Sequence, residues 1–189
     1  MNTMKPGKNL SELCYSFIFE TSWLCDYEVL TDELATQLGM ALSIVETDPA
    51  LLDLVPDLER LQELALHANG SVRGKLAVTE ADLDWLHRRY DYFSAAIETR
   101  EPKRLKNFVL PRGLLPVPQL HQARSTAKKA IRALVRVEEE GKHEIPAEIP
   151  RLLNLLCNFC FVLTVLINQR RGVSEPCFIS KSYRLHKTS

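Results

Sequence analysis

Four basic residues, Arg124, Lys128, Arg132 and Arg136, recur every fourth position in "LHQARSTAKKAIRALVRVEEEG", and Lys129 stands beside them. On a helix, positions four apart share one face, so the five cations form a row. Two chemistries fit that spacing. One is a solvated face whose charges pair with Glu138, Glu139 and Glu140. The other is a cradle for phosphate oxygens, which guanidinium and ammonium groups neutralise and orient. Just upstream, "NFVLPRG" sets a short apolar run against a proline-glycine turn, which places a loop next to the row.

The remaining reactive residues say less. Cys157 and Cys160 spell C-x-x-C, but within a helical pattern and with no second cysteine pair, so they read as small buried residues. The five histidines (67, 87, 121, 143 and 186) are scattered, with none in H-x-x-x-H spacing, and no metal site is expected. Asn154 and Asn158 lie one turn apart on the most apolar segment. There a buried amide needs partners, either within the bundle or from a ligand. No P-loop, dinucleotide-binding or nucleophile-elbow motif occurs.

The elements that must position these groups read as helices almost throughout. In "TDELATQLGMALSIVE" a helix is expected from Thr31 or Asp32, with Leu34, Leu38, Ala41, Leu42 and Val45 on one face. Leucines from Leu51 to Leu66 continue the pattern, with Pro56 in the first turns or at a bend. Thr79 to Asp82 has the form of a capping box, opening a helix that turns Leu83, Leu86, Tyr90, Phe93 and Ile97 inward. Leu120, Ala123, Ala127, Ala130, Leu134 and Val137 alternate steps of three and four, a bundle seam. Ile149 to Asn168 is apolar on most sides and reads as the central helix.

These patterns predict an all-α, five-helix, up-and-down bundle. Residues 1–26 are expected as an entry segment, 27–170 as the bundle and 171–189 as a tail. With Lys+Arg 24 against Asp+Glu 24, the net charge of +0 speaks against nucleic acid or an anionic membrane as partner. The longest apolar run, "LLNLLCNFCFVLTVLI", is interrupted by both asparagines and reads as too short to span a bilayer. With no export signal and an odd number of cysteines, a cytoplasmic protein is expected.

Five segments in order resemble the PduO-type ATP:cob(I)alamin (corrinoid) adenosyltransferases. They are "DELATQLGMAL", "VTEADLDWLHRRYD", "NFVLPRG", "LHQARSTAKKAIR" and "LLNLLCNFCFVLTVLIN", spanning Asp32 to Asn168. The resemblance implies a homotrimer with its site between subunits, which moves the 5′-deoxyadenosyl group of ATP onto the reduced cobalt of cobalamin, with Mg²⁺. It implies catalytic roles for Phe108, Arg124 and Lys128. It implies contacts to ATP from Asn154, Lys129 and Asn158, and an intersubunit pair of Asp32 with Arg124.

The same comparison marks departures. Lys128 and Lys129 replace two arginines and Ile131 replaces an acid. Arg112 enters the glycine turn, Glu28 to Thr31 replace Tyr-Gly-Thr-Val, and Asn154 to Asn158 lack an Arg and an acid of the family motif. The T-G-D-x-G-x-T-S loop that wraps the triphosphate has only Gly7 and Lys8 as an echo. Two alternatives follow. One is a non-catalytic relative that holds a corrinoid, nucleotide or protein partner in the intersubunit cleft. The other is a helical bundle serving only as an interaction protein.

Overall fold

The computed structural model describes Gly7 and residues 9–102, 104–106 and 108–182; Lys8, Asn107 and His186 lie outside this set. Five helices carry the chain: α1 (Trp23–Val45), α2 (Val55–Gly70), α3 (Glu80–Arg100), α4 (Val117–Glu140) and α5 (Glu148–Arg170). Among the described residues there is no strand, only an isolated bridge between Val109 and Cys177. The expected all-α, up-and-down bundle is what the chain forms.

Local signals account for most boundaries. Thr79 and Asp82 complete a reciprocal capping box at the start of α3, and Pro56 sits in the first turn of α2, where its missing N–H costs nothing. Gly141 stops α4 in the left-handed conformation, which a side chain would strain. The start of α1 differs from expectation. It begins at Trp23 rather than Thr31 and so crosses the expected boundary at residue 27. Its cap is tertiary: Ser22 accepts from the Leu24 N–H, while Glu140 at the end of α4 accepts from the Ser22 hydroxyl at 2.7 Å and the Trp23 N–H at 2.8 Å.

Helix α4 packs between α1 and α5, α1 also packs on α2, and α5 on α3. Salt bridges join α2 to α3: Arg89 grips the buried Asp57 through two bonds of 2.6 and 2.7 Å, and Arg60 reaches Asp82. The seam of α4, from Leu120 to Val137, is buried as expected, as are Leu83, Leu86, Phe93 and Ile97 of α3, while Tyr90 is half-buried. At 23 residues α5 is long and apolar enough to span a bilayer, which corrects the expectation that its run is too short. Most of its apolar surface is taken up inside the bundle.

Candidate active site

Burying the apolar seam of α4 turns its opposite face to solvent, and that face carries the basic row. Among the described residues only Arg136 is neutralised, by Glu139 at 2.9 Å. Glu140 is spent capping α1, and Glu138 pairs with none of the row. Lys128, Lys129 and Arg132 are exposed and make no ion pair among the described residues. Arg124 is half-buried. Its Nε is buried without an acceptor, and its guanidinium lies 5.4 Å from the centre of the Phe161 ring. The row is therefore not a self-neutralised face, and four cations project a local positive field from a chain of zero net charge.

Two hollows flank the row. A cavity of about 290 Å³ is lined by Lys106, Phe108, Val109, Arg124, Lys128 and Phe161. A shallower groove between α1 and α4, about 560 Å³, is lined by Trp23, Lys128, Lys129, Arg132 and Arg136, with one carboxylate, Asp26, facing these cations. Lys128 borders both. The structure thus brings Phe108, Arg124 and Lys128 together and puts Lys129 one step around the helix.

Phe108 is 63% exposed, so backbone rather than packing holds it. Its carbonyl accepts from the Phe178 N–H at 2.8 Å, and the Leu110 N–H donates to the Pro176 carbonyl at 2.9 Å. The close approach in this turn falls on Gly113. A Cβ there would meet Asn168 Oδ1 and lie 2.7 Å from Val117 Cγ1. Arg112, expected to crowd the turn, is exposed, and among the described residues only its carbonyl is engaged, by Asn168 Nδ2 at 3.0 Å.

Asn154 and Asn158 are not buried amides. They lie on a narrow exposed stripe of α5 with Arg151, one turn ahead of Phe161 at the cavity, because neighbouring helices cover the other sides. Asn154 Nδ2 donates to the Pro150 carbonyl at 2.7 Å. Asp32 is exposed on α1 and does not meet Arg124 within one subunit. Its neighbour Glu33 faces inward, accepting from Gln37 at 2.8 Å and Thr126 at 3.3 Å.

Cys157 and Cys160 are buried, and burial pushes both thiols above the usual range, which suits packing rather than thiolate chemistry. No cluster of His, Cys, Asp and Glu able to hold a metal occurs among the described residues. Burial, helped by the Arg124 charge, lowers His121 to about 4, so it is neutral at pH 7.

One feature escaped sequence reasoning. Glu28 is buried in α1 and accepts from Arg73 at 2.7 and 2.9 Å and from the Tyr15 hydroxyl. Arg73 also pairs with Glu20 and lies 3.7 Å over the Phe17 ring, and Asn69 donates to the Glu28 carbonyl. The clamp bolts the entry segment to α1 and α2. Only the odd carboxylate among apolar positions hinted at it.

A family model described as Cobalamin adenosyltransferase matches residues 28–167. The corrinoid adenosyltransferase of Bacillus subtilis is 29% identical over 149 residues, covering 76% of this chain and 74% of that protein. The cobalamin adenosyltransferase of Cupriavidus metallidurans is 32% identical over 155 residues, with the same coverage of 76% and 74%. A phenylalanine-to-histidine variant of the PduO-type ATP:corrinoid adenosyltransferase from Lactobacillus reuteri, complexed with cobalamin and ATP, superposes with a TM-score of 0.69. It is 19% identical, covering 85% of this chain and 84% of that one. An arginine-to-lysine variant of that enzyme, complexed with ATP, gives 0.69 at 20% identity, covering 85% and 88%. Fold, segment order and sequence agree: this chain belongs to the cobalamin adenosyltransferase family.

Proposed function

We propose that this protein transfers the 5′-deoxyadenosyl group of ATP to the cobalt of a reduced corrinoid. The observation that carries the reading is the cavity where Phe108, Arg124, Lys128 and Phe161 meet beside a basic face whose Lys128, Lys129 and Arg132 make no ion pair among the described residues. Phe108 offers an exposed aromatic face to a flat macrocycle. Arg124, Lys128 and Lys129 hold the triphosphate, and Asn154 and Asn158 supply amide contacts to the nucleotide from the exposed stripe of α5. In the reaction Co(I) attacks the ribose C5′, the C5′–O bond breaks, triphosphate leaves with the electron pair, and cobalt ends as Co(III). The cations favour the step by stabilising charge on the leaving group. Mg²⁺ fits as a companion of the triphosphate, since it is commonly held by substrate phosphates rather than by a protein cage.

Spacing supports the assignment of Phe108 and Lys128. In the Lactobacillus reuteri enzyme, the phenylalanine and arginine whose variants were solved stand twenty positions apart, as Phe108 and Lys128 do here. The arginine variant carries lysine and is complexed with ATP, so a lysine there is compatible with nucleotide. Asp32, exposed and without an ion-pair partner among the described residues, is assigned to Arg124 of a neighbouring copy in a homotrimer. Asp32→Ala is then expected to shift sedimentation toward monomer, and an unchanged assembly removes that pair.

The deciding experiment mixes the protein with ATP, Mg²⁺ and chemically reduced cob(I)alamin and follows the adenosyl–cobalt product by absorbance. Product is expected; none, with circular dichroism showing an intact fold, overturns the reading. One observation favours a second reading, a non-catalytic corrinoid- or nucleotide-binding relative. The entry segment, where the family keeps its triphosphate-wrapping loop, is clamped through Glu20, Tyr15 and Glu28 to Arg73. Corrinoid binding without product would support that alternative.

A further inference from the structure

The last described segment returns to the candidate site. After α5, Gly172 reverses the chain in a left-handed conformation, and the Val173 N–H donates to the Asn168 carbonyl at 2.8 Å. Glu175 then turns inward: its side chain is 0% exposed and its carboxylate pairs with Arg104, itself 12% exposed and also 3.4 Å from Glu101. A carboxylate taken wholly out of water is tolerated only with such a partner, so this pair fixes where the segment enters the protein. Immediately beyond it come two backbone hydrogen bonds to the Phe108 turn. The Pro176 carbonyl accepts from the Leu110 N–H and the Phe178 N–H donates to the Phe108 carbonyl, and together they make the bridge of Cys177 with Val109.

We infer that residues 173–178 are a strap that positions Phe108, with Arg104 and Glu175 as its anchor. The inference rests on the reading of Phe108 as a corrinoid-facing residue. Phe108 is mostly exposed, so its direction is set largely by its backbone, and its carbonyl bond in the described structure is to the strap. Arg104 and Glu175 act through that backbone and are positioning residues. The anchor pair borders a separate cavity of about 380 Å³, so a change there need not touch the cavity at Phe108 directly.

The test compares the wild-type protein with Glu175→Ala, Phe178→Pro and Phe178→Ala. Phe178→Pro deletes the N–H that Phe108 uses and leaves the core alone; Phe178→Ala keeps it. By hydrogen-exchange mass spectrometry, the peptide holding the Leu110 amide is expected to exchange about tenfold faster in Glu175→Ala and Phe178→Pro, and at the wild-type rate in Phe178→Ala. In adenosylation assays, Phe178→Pro is expected to raise the KM for cobalamin about tenfold with the KM for ATP nearly unchanged. Equal exchange in Phe178→Pro and wild type, or a parallel rise in both KM values, overturns the strap. Should Glu175→Ala unfold, Phe178→Pro decides. Should the wild type form no product, the proposed activity fails while the exchange comparison still judges the strap.

Discussion

Lowering the pH from 7.5 to 5 is expected to cost this fold about 2 kcal/mol through one side chain, His121. His121 is buried on α4, one turn before Arg124, and neither ring nitrogen has a hydrogen-bond partner among the described residues. Burial, and secondarily the Arg124 charge, lowers it from 6.5 to about 4. The folded value lies below the unfolded one, so between them the unfolded chain binds more protons. Stability is full above 6.5 and is lost as the pH falls toward 4. At pH 5 the unfolded imidazole is almost all protonated and the folded one mostly neutral. The unfolded state gains by a factor of about 30, which is about 2 kcal/mol.

The assay is urea unfolding followed by circular dichroism at pH 7.5 and 5, at one protein concentration, for the wild type and His121→Leu. Carboxylates and the other histidines titrate in both chains and cancel in the difference. The wild type is expected to lose about 2 kcal/mol more than the variant. Equal losses, within about 0.5 kcal/mol, would refute the argument that this imidazole is held neutral by burial.

Three further outcomes are expected. Arg73→Ala leaves the Glu28 carboxylate buried without its cation and is expected to lower unfolding stability by about 3–5 kcal/mol, while a loss under about 1 kcal/mol would show that Glu28 is solvated in solution. Gly113→Ala drives a methyl group against Asn168 and Val117 and is expected to cost about 1–3 kcal/mol in thermal unfolding, where no change would contradict the close approach. In ATP titrations by calorimetry, Lys128→Ala and Lys129→Ala are each expected to weaken binding about tenfold. Arg136→Ala, which removes a cation already paired with Glu139, is expected to change it little, and equal effects from all three would dissolve the assigned site.

How much was legible depended on the reach of each signal. The seam of α4 and the Thr79–Asp82 box were readable because their partners lie three or four residues away, within one helical turn. The segments carrying Asp32, Phe108, Arg124 and Asn154 were readable as an ordered set, and the family match over residues 28–167 agrees with that reading. The start of α1 was not, since Glu140, which completes its cap, lies 117 positions beyond Trp23. The clamp of Glu28 by Arg73 spans 45 positions, beyond the reach of any local pattern.

The amides of α5 mark the division most clearly. Sequence alone determined that two asparagines share a face of an apolar helix, because helical periodicity is a property of the local chain. Only the tertiary structure decided that this face is the one left open. The same holds for the tail, whose pairing with the Phe108 turn is made by backbone groups that every residue carries and so leaves no pattern in side-chain identity. Composition and spacing thus specified the helices and the cations of α4. Which of those cations stay unpaired, and which aromatic ring stands beside them, followed from packing between segments far apart in the chain.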